Sequence, residues 1–231
     1  FYGARSVGEL VIPSGVTVIG EEAFYGMKQI ALLTIPDSVT SIGSDAFYGT
    51  PELTSINVPD GLTSIENNTF RGASGVTSLT LKSGITSVGN SAFYGTKNLT
   101  AISLPNTITS IGEYAFYDTP LLSNITIPTG MTSIGSKTFS GASGLTYITI
   151  PSSVTSFGSL SFEDTISLIS MIIHDNIVNI ASNAFAGSAL AIVYLSSSNG
   201  LSITSPSSNV PFFGAIVDVY GLGSVSYTHL R

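Results

Sequence analysis

Leu99-Thr100-Ala101-Ile102-Ser103-Leu104-Pro105-Asn106-Thr107-Ile108-Thr109-Ser110-Ile111-Gly112-Glu113-Tyr114-Ala115-Phe116-Tyr117 is one copy of a unit that runs through most of this 231-residue chain. Phenylalanines at positions 1, 24, 47, 70, 93, 116, 139, 162 and 185 fall 23 residues apart without a slip, giving about nine copies. A unit this short does not bury its own apolar face, so the copies must stack, and the chain reads as a β-rich repeat solenoid.

Within a copy, apolar and polar residues alternate, as in Ser55-Ile56-Asn57-Val58, which is the period of a half-buried strand with Ile56 and Val58 inward and Ser55 and Asn57 outward. Pro59, like Pro13, Pro36, Pro105, Pro128 and Pro151, has no amide hydrogen and ends that strand. A second extended stretch follows, as in Val39-Thr40-Ser41-Ile42, before a Gly at 20, 43, 89, 112, 135 and 158 that supplies a positive φ or a close approach. The same slot is Glu66 and Ala181 in two copies, so a positive φ is not obligatory there. The phenylalanines that come next form the expected structural spine: Phe24, Phe47, Phe70, Phe93, Phe116, Phe139, Phe162 and Phe185.

The order Leu-x-x-Ile-x-Ile-Pro, Val-x-x-Ile-Gly, Ala-Phe at a 23-residue period resembles the BspA-like leucine-rich-repeat family. The resemblance covers roughly residues 1 to 195. It implies a right-handed leucine-rich-repeat superhelix with a curved parallel β-sheet on its concave side and short helical turns near the Ala-Phe pair. Such members typically carry Cys three residues after the Phe; here the slot holds Met27, Thr50, Ala73, Thr96, Thr119, Ala142, Thr165 and Ser188, mostly small.

Residues 1–195 are therefore read as the solenoid, which opens in mid-repeat and so is expected to lack its natural N-terminus. Residues 196–223 read as a degenerate last repeat and cap, with a strand over Ile216-Val217-Asp218-Val219-Tyr220. Residues 224–231 match no part of the repeat and read as a disordered or non-native tail.

Only 9% of residues are charged, and the net charge of −7 comes from scattered acids, which leaves no basic stripe for a nucleic acid. No apolar run reaches the length of a transmembrane helix, and the absence of cysteine excludes disulfides and thiolate metal sites. No Gly-rich phosphate loop, Gly-x-Ser-x-Gly elbow or acidic calcium loop occurs, so neither an enzyme nor a cofactor is expected. His174 beside Asp175 occupies the proline slot and reads as a turn residue; Asp37 and Asp60, after their prolines, read as solvated turns.

What remains is surface. Stacking places Ser55, Ser78, Asn124 and Tyr147 in one outward row and Asn57, Thr80, Ser103, Thr126 and Thr149 in the next, and these nine residues are the candidate binding face. Thr17, Thr40, Thr63, Thr86, Thr109, Thr132 and Thr155 form a threonine ladder that raises an ice-binding alternative, although a curved sheet works against it. Tyr2, Tyr25, Tyr48, Tyr94 and Tyr117 form a row interrupted at Arg71, Ser140, Glu163 and Ala186, which reads as packing over an outer ridge, and Asn67, Asn98 and Asn124 stand in Asn-x-Ser/Thr sequons. The family resemblance implies a cell-surface or extracellular location and an adhesion role with a protein or glycan partner. A spacer or stalk displaying another domain is the alternative.

Overall fold

The computed structural model describes residues 8–174, 176–181, 183–190, 192–195 and 218–220. Phe1, Tyr2, Asp175, the Ser/Asn-rich stretch after Leu195 and the last eight residues, all read above from sequence, lie outside them.

Each copy contributes two short strands. The first set comprises β1 (Glu9–Val11), β3 (Leu32–Thr34), β5 (Ser55–Ile56), β7 (Ser78–Thr80), β9 (Ala101–Ser103), β11 (Asn124–Thr126), β13 (Tyr147–Thr149), β15 (Ser170–Ile173) and β17 (Ile192–Leu195). The second set comprises β2 (Val18–Ile19), β4 (Ser41–Ile42), β6 (Ser64–Ile65), β8 (Ser87–Val88), β10 (Ser110–Ile111), β12 (Ser133–Ile134), β14 (Ser156–Phe157) and β16 (Asn179–Ile180). A final strand, β18 (Asp218–Tyr220), pairs with β17. All pairings are parallel, and from β1 to β16 each joins residues 23 apart, as in Asn124↔Tyr147 and Ser156↔Asn179. The molecule is a parallel β-solenoid.

Among the described residues the expected helical turns near the Ala-Phe pair are not present, and the hydrogen bonds give the reason. Along this ridge, alternate amides bond within and between coils. Ala23, Tyr25 and Met27 donate to the carbonyls of Gly20, Glu22 and Phe24, closing tight turns. Glu22, Phe24 and Gly26 donate across to Ser44, Ala46 and Tyr48 of the following coil at 3.0, 2.8 and 2.7 Å. A helix would direct those three amides back along its own coil and so surrender the inter-coil ladder. The alternation requires a left-handed residue two before each Phe from Phe24 to Phe162, with φ of 53° at Glu22, 57° at Asp45, 59° at Tyr114 and 56° at Leu160. A second left-handed position falls on Gly26, Gly49, Gly72, Gly95, Gly141 and Gly187, with Asp118 and Asp164 in the two copies that lack glycine.

The glycine after the second strand serves the other purpose considered for it. A Cβ on Gly43 would stand 2.5 Å from the Glu21 nitrogen, and one on Gly112 2.5 Å from that of Asn90, so the coils touch through bare backbone. Glu66 fills this slot in the third copy, and there β4 and β6 do not pair. A Cβ alone does not account for the break, since Ala181 fills the same slot and its amide still donates to the Phe157 carbonyl at 3.0 Å.

Inside, Phe24 through Phe185 form an unbroken column with ring centroids 5.2–5.8 Å apart and planes within 20° of parallel. These spacings exceed the roughly 3.5–4.0 Å of eclipsed carbon contacts, so the rings are offset, the arrangement aromatic quadrupoles favour. The slot three residues on is also explained. Thr50, Thr96, Thr119 and Thr165 are buried, and each hydroxyl donates to the preceding Phe carbonyl at 2.8–2.9 Å.

Two stability predictions follow from this core. Phe93→Ala, which opens a cavity at mid-column, costs about 3–5 kcal/mol in chemical denaturation; a loss under about 1 kcal/mol is typical of a surface site and contradicts the packing. Ser161 stands in the alanine slot before Phe162 with a buried hydroxyl that has no hydrogen-bond partner. Ser161→Ala therefore raises the stability by up to about 1 kcal/mol, read as a higher denaturation midpoint at unchanged slope.

Candidate functional site

The outward rows of the first strand set bring most of the candidate face together. Ser78 and Thr80 lie on β7, Ser103 ends β9, Asn124 and Thr126 lie on β11, and Tyr147 and Thr149 on β13. All are exposed, with Thr80 opposite Ser103, Asn124 opposite Tyr147 and Thr126 opposite Thr149. The Thr149 hydroxyl donates to the Tyr147 phenol oxygen at 2.9 Å, which steers the ring, and Tyr147 is 44% exposed.

Ser55 and Asn57 do not join this row through the ladder, because the sheet breaks between β5 and β7. The cause is local. In three other copies the residue after the first strand donates to the main chain of the next coil: Ile12 to Thr34, Leu81 to Ser103 and Ile150 to Ile172, at 2.9–3.0 Å. Ile35 instead donates to the Asn57 side-chain Oδ1 at 3.0 Å, and Asn57 Nδ2 donates back to the Ile35 carbonyl at 2.5 Å. A short side-chain amide thus replaces the main chain it belongs to. The Asn57 backbone leaves the ladder, and β5 ends at Ile56. Beside it lies a hollow of about 420 Å³ lined by Asp37, Ser55, Ile56, Asn57, Val58, Ser78, Leu79, Thr80 and Lys82.

Other hydroxyl rows are already engaged. The threonine ladder binds the preceding coil, with Thr40 donating to the Thr17 carbonyl, Thr86 to Thr63, Thr109 to Thr86 and Thr155 to Thr132 at 3.1–3.4 Å. Thr54 beside β5 and Thr100, Ser123 and Thr146 beside the long sheet do the same, at 2.9–3.3 Å. By contrast, among the described residues the hydroxyls of Ser55, Ser78, Thr80, Ser103 and Thr126 have no protein partner.

The tyrosine row is not interrupted at Arg71. Tyr25 stacks on Tyr48 at 4.7 Å and Tyr94 on Tyr117 at 4.6 Å, while the Arg71 guanidinium carbon sits 5.4 Å from the Tyr48 ring and 4.2 Å from the Tyr94 ring. A planar guanidinium stacks as a ring does. The ring faces are occupied by one another, so this ridge is packing.

Asp60 pairs with Lys82 at 3.5 Å, and the His174 carbonyl accepts the Ile177 amide. Among the described residues no three His, Cys, Asp or Glu side chains gather as a metal set, and no helix is long and apolar enough to cross a membrane. Asn67, Asn98 and Asn124 are exposed, but Asn67 Oδ1 already accepts the Asn90 amide at 2.8 Å.

Parallel coils of 23 residues with an aromatic column define a leucine-rich-repeat solenoid. The family model for the BspA type leucine-rich repeat region matches residues 1–122 and 63–192, and the chain belongs to that family. A leucine-rich repeat protein of T. pallidum is 26% identical, with a TM-score of 0.64 over 69% of this chain and 77% of its own. One from Bacteroides ovatus is 23% identical, with a TM-score of 0.63 over 83% and 64%, and one from Eubacterium ventriosum is 23% identical, with a TM-score of 0.53 over 82% and 60%. The latter two are alike in fold. No curated protein sequence matches the chain.

The double bond between Asn57 and Ile35 carries a prediction. Asn57→Ala leaves a part-buried amide and carbonyl without partners and costs about 1–3 kcal/mol; hydrogen exchange at the Ile35 amide accelerates, whereas that at Ile12, held by the Thr34 carbonyl, does not.

Proposed function

We propose that this chain is a non-enzymatic binding module of a cell-surface or secreted protein, engaging an extracellular protein or glycan through the face of its long sheet. One observation carries the reading. The coils spend their other hydroxyl rows on neighbouring carbonyls but leave those of Ser78, Thr80, Ser103 and Thr126 directed outward, beside Asn124 and Tyr147. A neutral surface that mixes free hydroxyls, an amide and a rigid phenol suits hydrogen-bonded recognition. Adhesion and the extracellular location rest on what the family resemblance implies.

The alternative is a spacer, a solenoid that sets the distance to another domain and binds nothing itself. The regular ridge favours it, since every coil there repeats the last. The ice-binding alternative loses support, because the threonine hydroxyls point along the ladder to carbonyls.

The test is an array of glycans and extracellular-matrix proteins probed with the purified chain and with a Tyr147→Ala/Asn124→Ala double variant. Specific binding that falls at least about tenfold in the variant supports the sheet-face reading. Binding unaffected by both changes places recognition away from the Tyr147/Asn124 end of the face, and no binding by the parent chain favours the spacer.

A further inference from the structure

From the hollow at the sheet break we infer a subsite for a single neutral saccharide unit, formed by Ser55, Ser78, Thr80 and Asp37 and created by Asn57. The inference deepens the sheet-face reading and rests on it.

Three observations select this ligand class. The first is dimension. The hollow measures about 420 Å³, within the range of about 300–1,000 Å³ typical of small-molecule sites. Residues of β5 and β7 still approach within 8 Å, Cα to Cα. An inserted peptide strand would need about twice the usual 4.8 Å spacing, so β-strand addition does not fit the gap.

The second observation is the chemistry of the walls. The facing edges of β5 and β7 present main-chain amides and carbonyls that no ladder pair satisfies, and the Ser55, Ser78 and Thr80 hydroxyls have no protein partner among the described residues. Such groups both donate and accept, and so do the hydroxyls of a sugar. Beneath them the buried side chains of Ile56, Val58 and Leu79 give an apolar floor, which suits the C–H face of a pyranose.

The third is charge. The exposed Asp37 carboxylate stands on the wall with no side-chain partner among the described residues and can accept hydroxyl donors, whereas the Lys82 ammonium is 3.5 Å from Asp60. Lys82 is the one cation of the lining and it is offset by Asp37 and Asp60, so the wall offers an anion no net positive charge. A neutral polyol fits what remains.

Asn57 is a positioning residue here. Its amide holds Ile35, so the Asn57 backbone leaves the ladder and the third coil goes unpaired with the fourth at β5/β7. Thr80, Thr126 and Thr149 stand at its equivalent in other copies, so Asn57→Thr restores the residue type with which the ladder closes.

The experiment is saturation-transfer NMR and titration of the whole chain with cellobiose, lactose and N,N′-diacetylchitobiose. Four proteins are compared: the parent, Asn57→Thr, Ser78→Ala/Asp37→Asn, and Tyr147→Ala/Asn124→Ala. Expected is binding of at least one disaccharide that weakens about tenfold or more in the first two variants and is unchanged in the third. Hydrogen exchange at Val58 checks that Asn57→Thr has closed the gap, and Ser78→Ala/Asp37→Asn tests the walls with Asn57 intact. Loss confined to Tyr147→Ala/Asn124→Ala overturns the subsite while keeping the sheet-face reading. No saccharide binding by a parent chain that still captures a protein on the array also overturns the subsite alone; no binding of any kind overturns both.

Discussion

The ladder of amides along the phenylalanine ridge is the constraint on which the rest of the structure depends. At Phe24, Phe47, Phe70, Phe93, Phe116, Phe139 and Phe162 the amide donates to the residue 22 positions later at 2.8–2.9 Å. Each bond joins two coils, and one inserted residue would move every following carbonyl out of reach. The 23-residue period is therefore enforced on the backbone, and the phenylalanine column follows because equivalent positions stack. The two strand rows are less demanding, being interrupted at β4/β6, β5/β7 and β10/β12, while the ridge runs on through all three.

That hierarchy explains what was legible in the sequence. The phenylalanine period, the inward alternation of Ile56 and Val58 and the proline stops are side-chain signals, and a stacking solenoid is their direct reading. The ridge conformation is not one. Its left-handed residues are Glu22, Asp45, Asn68, Ser91, Tyr114, Lys137 and Leu160, a set with no shared chemistry. Asparagine and aspartate tolerate that region, but leucine and tyrosine do not ordinarily choose it. The inter-coil bonds impose it, and a single copy cannot announce a constraint supplied by its neighbours. The helical turns implied by family resemblance fail for the same reason.

The candidate face was legible as rows of equivalent positions, since register between identical coils follows from the period. Less visible was which hydroxyls are free. Thr126 and Thr109 look alike in sequence, yet Thr109 donates to the Thr86 carbonyl at 3.4 Å, whereas Thr126 has no such partner. The distinction depends on where each row lies relative to the carbonyls of the coil before it. Arg71 shows the opposite case, an apparent interruption that geometry converts into a continuation of the tyrosine stack.

Departures from the repeat carry more information about function than the repeat does. Where Glu66 replaces glycine, β4 and β6 do not pair; where Asn57 replaces threonine or serine, an amide captures Ile35 and β5 does not pair with β7. Both fall in the third coil, which is unpaired with its predecessor along one row and with its successor along the other. The coil stays in place because Phe70 remains stacked on Phe47 at 5.6 Å and on Phe93 at 5.8 Å, with its amide still bonded to Ala92. A redundant scaffold can therefore give up ladder bonds on its open face and keep its fold. This freedom lets a uniform stack acquire a single distinct hollow, and it is why we look for recognition at the copy that breaks the pattern.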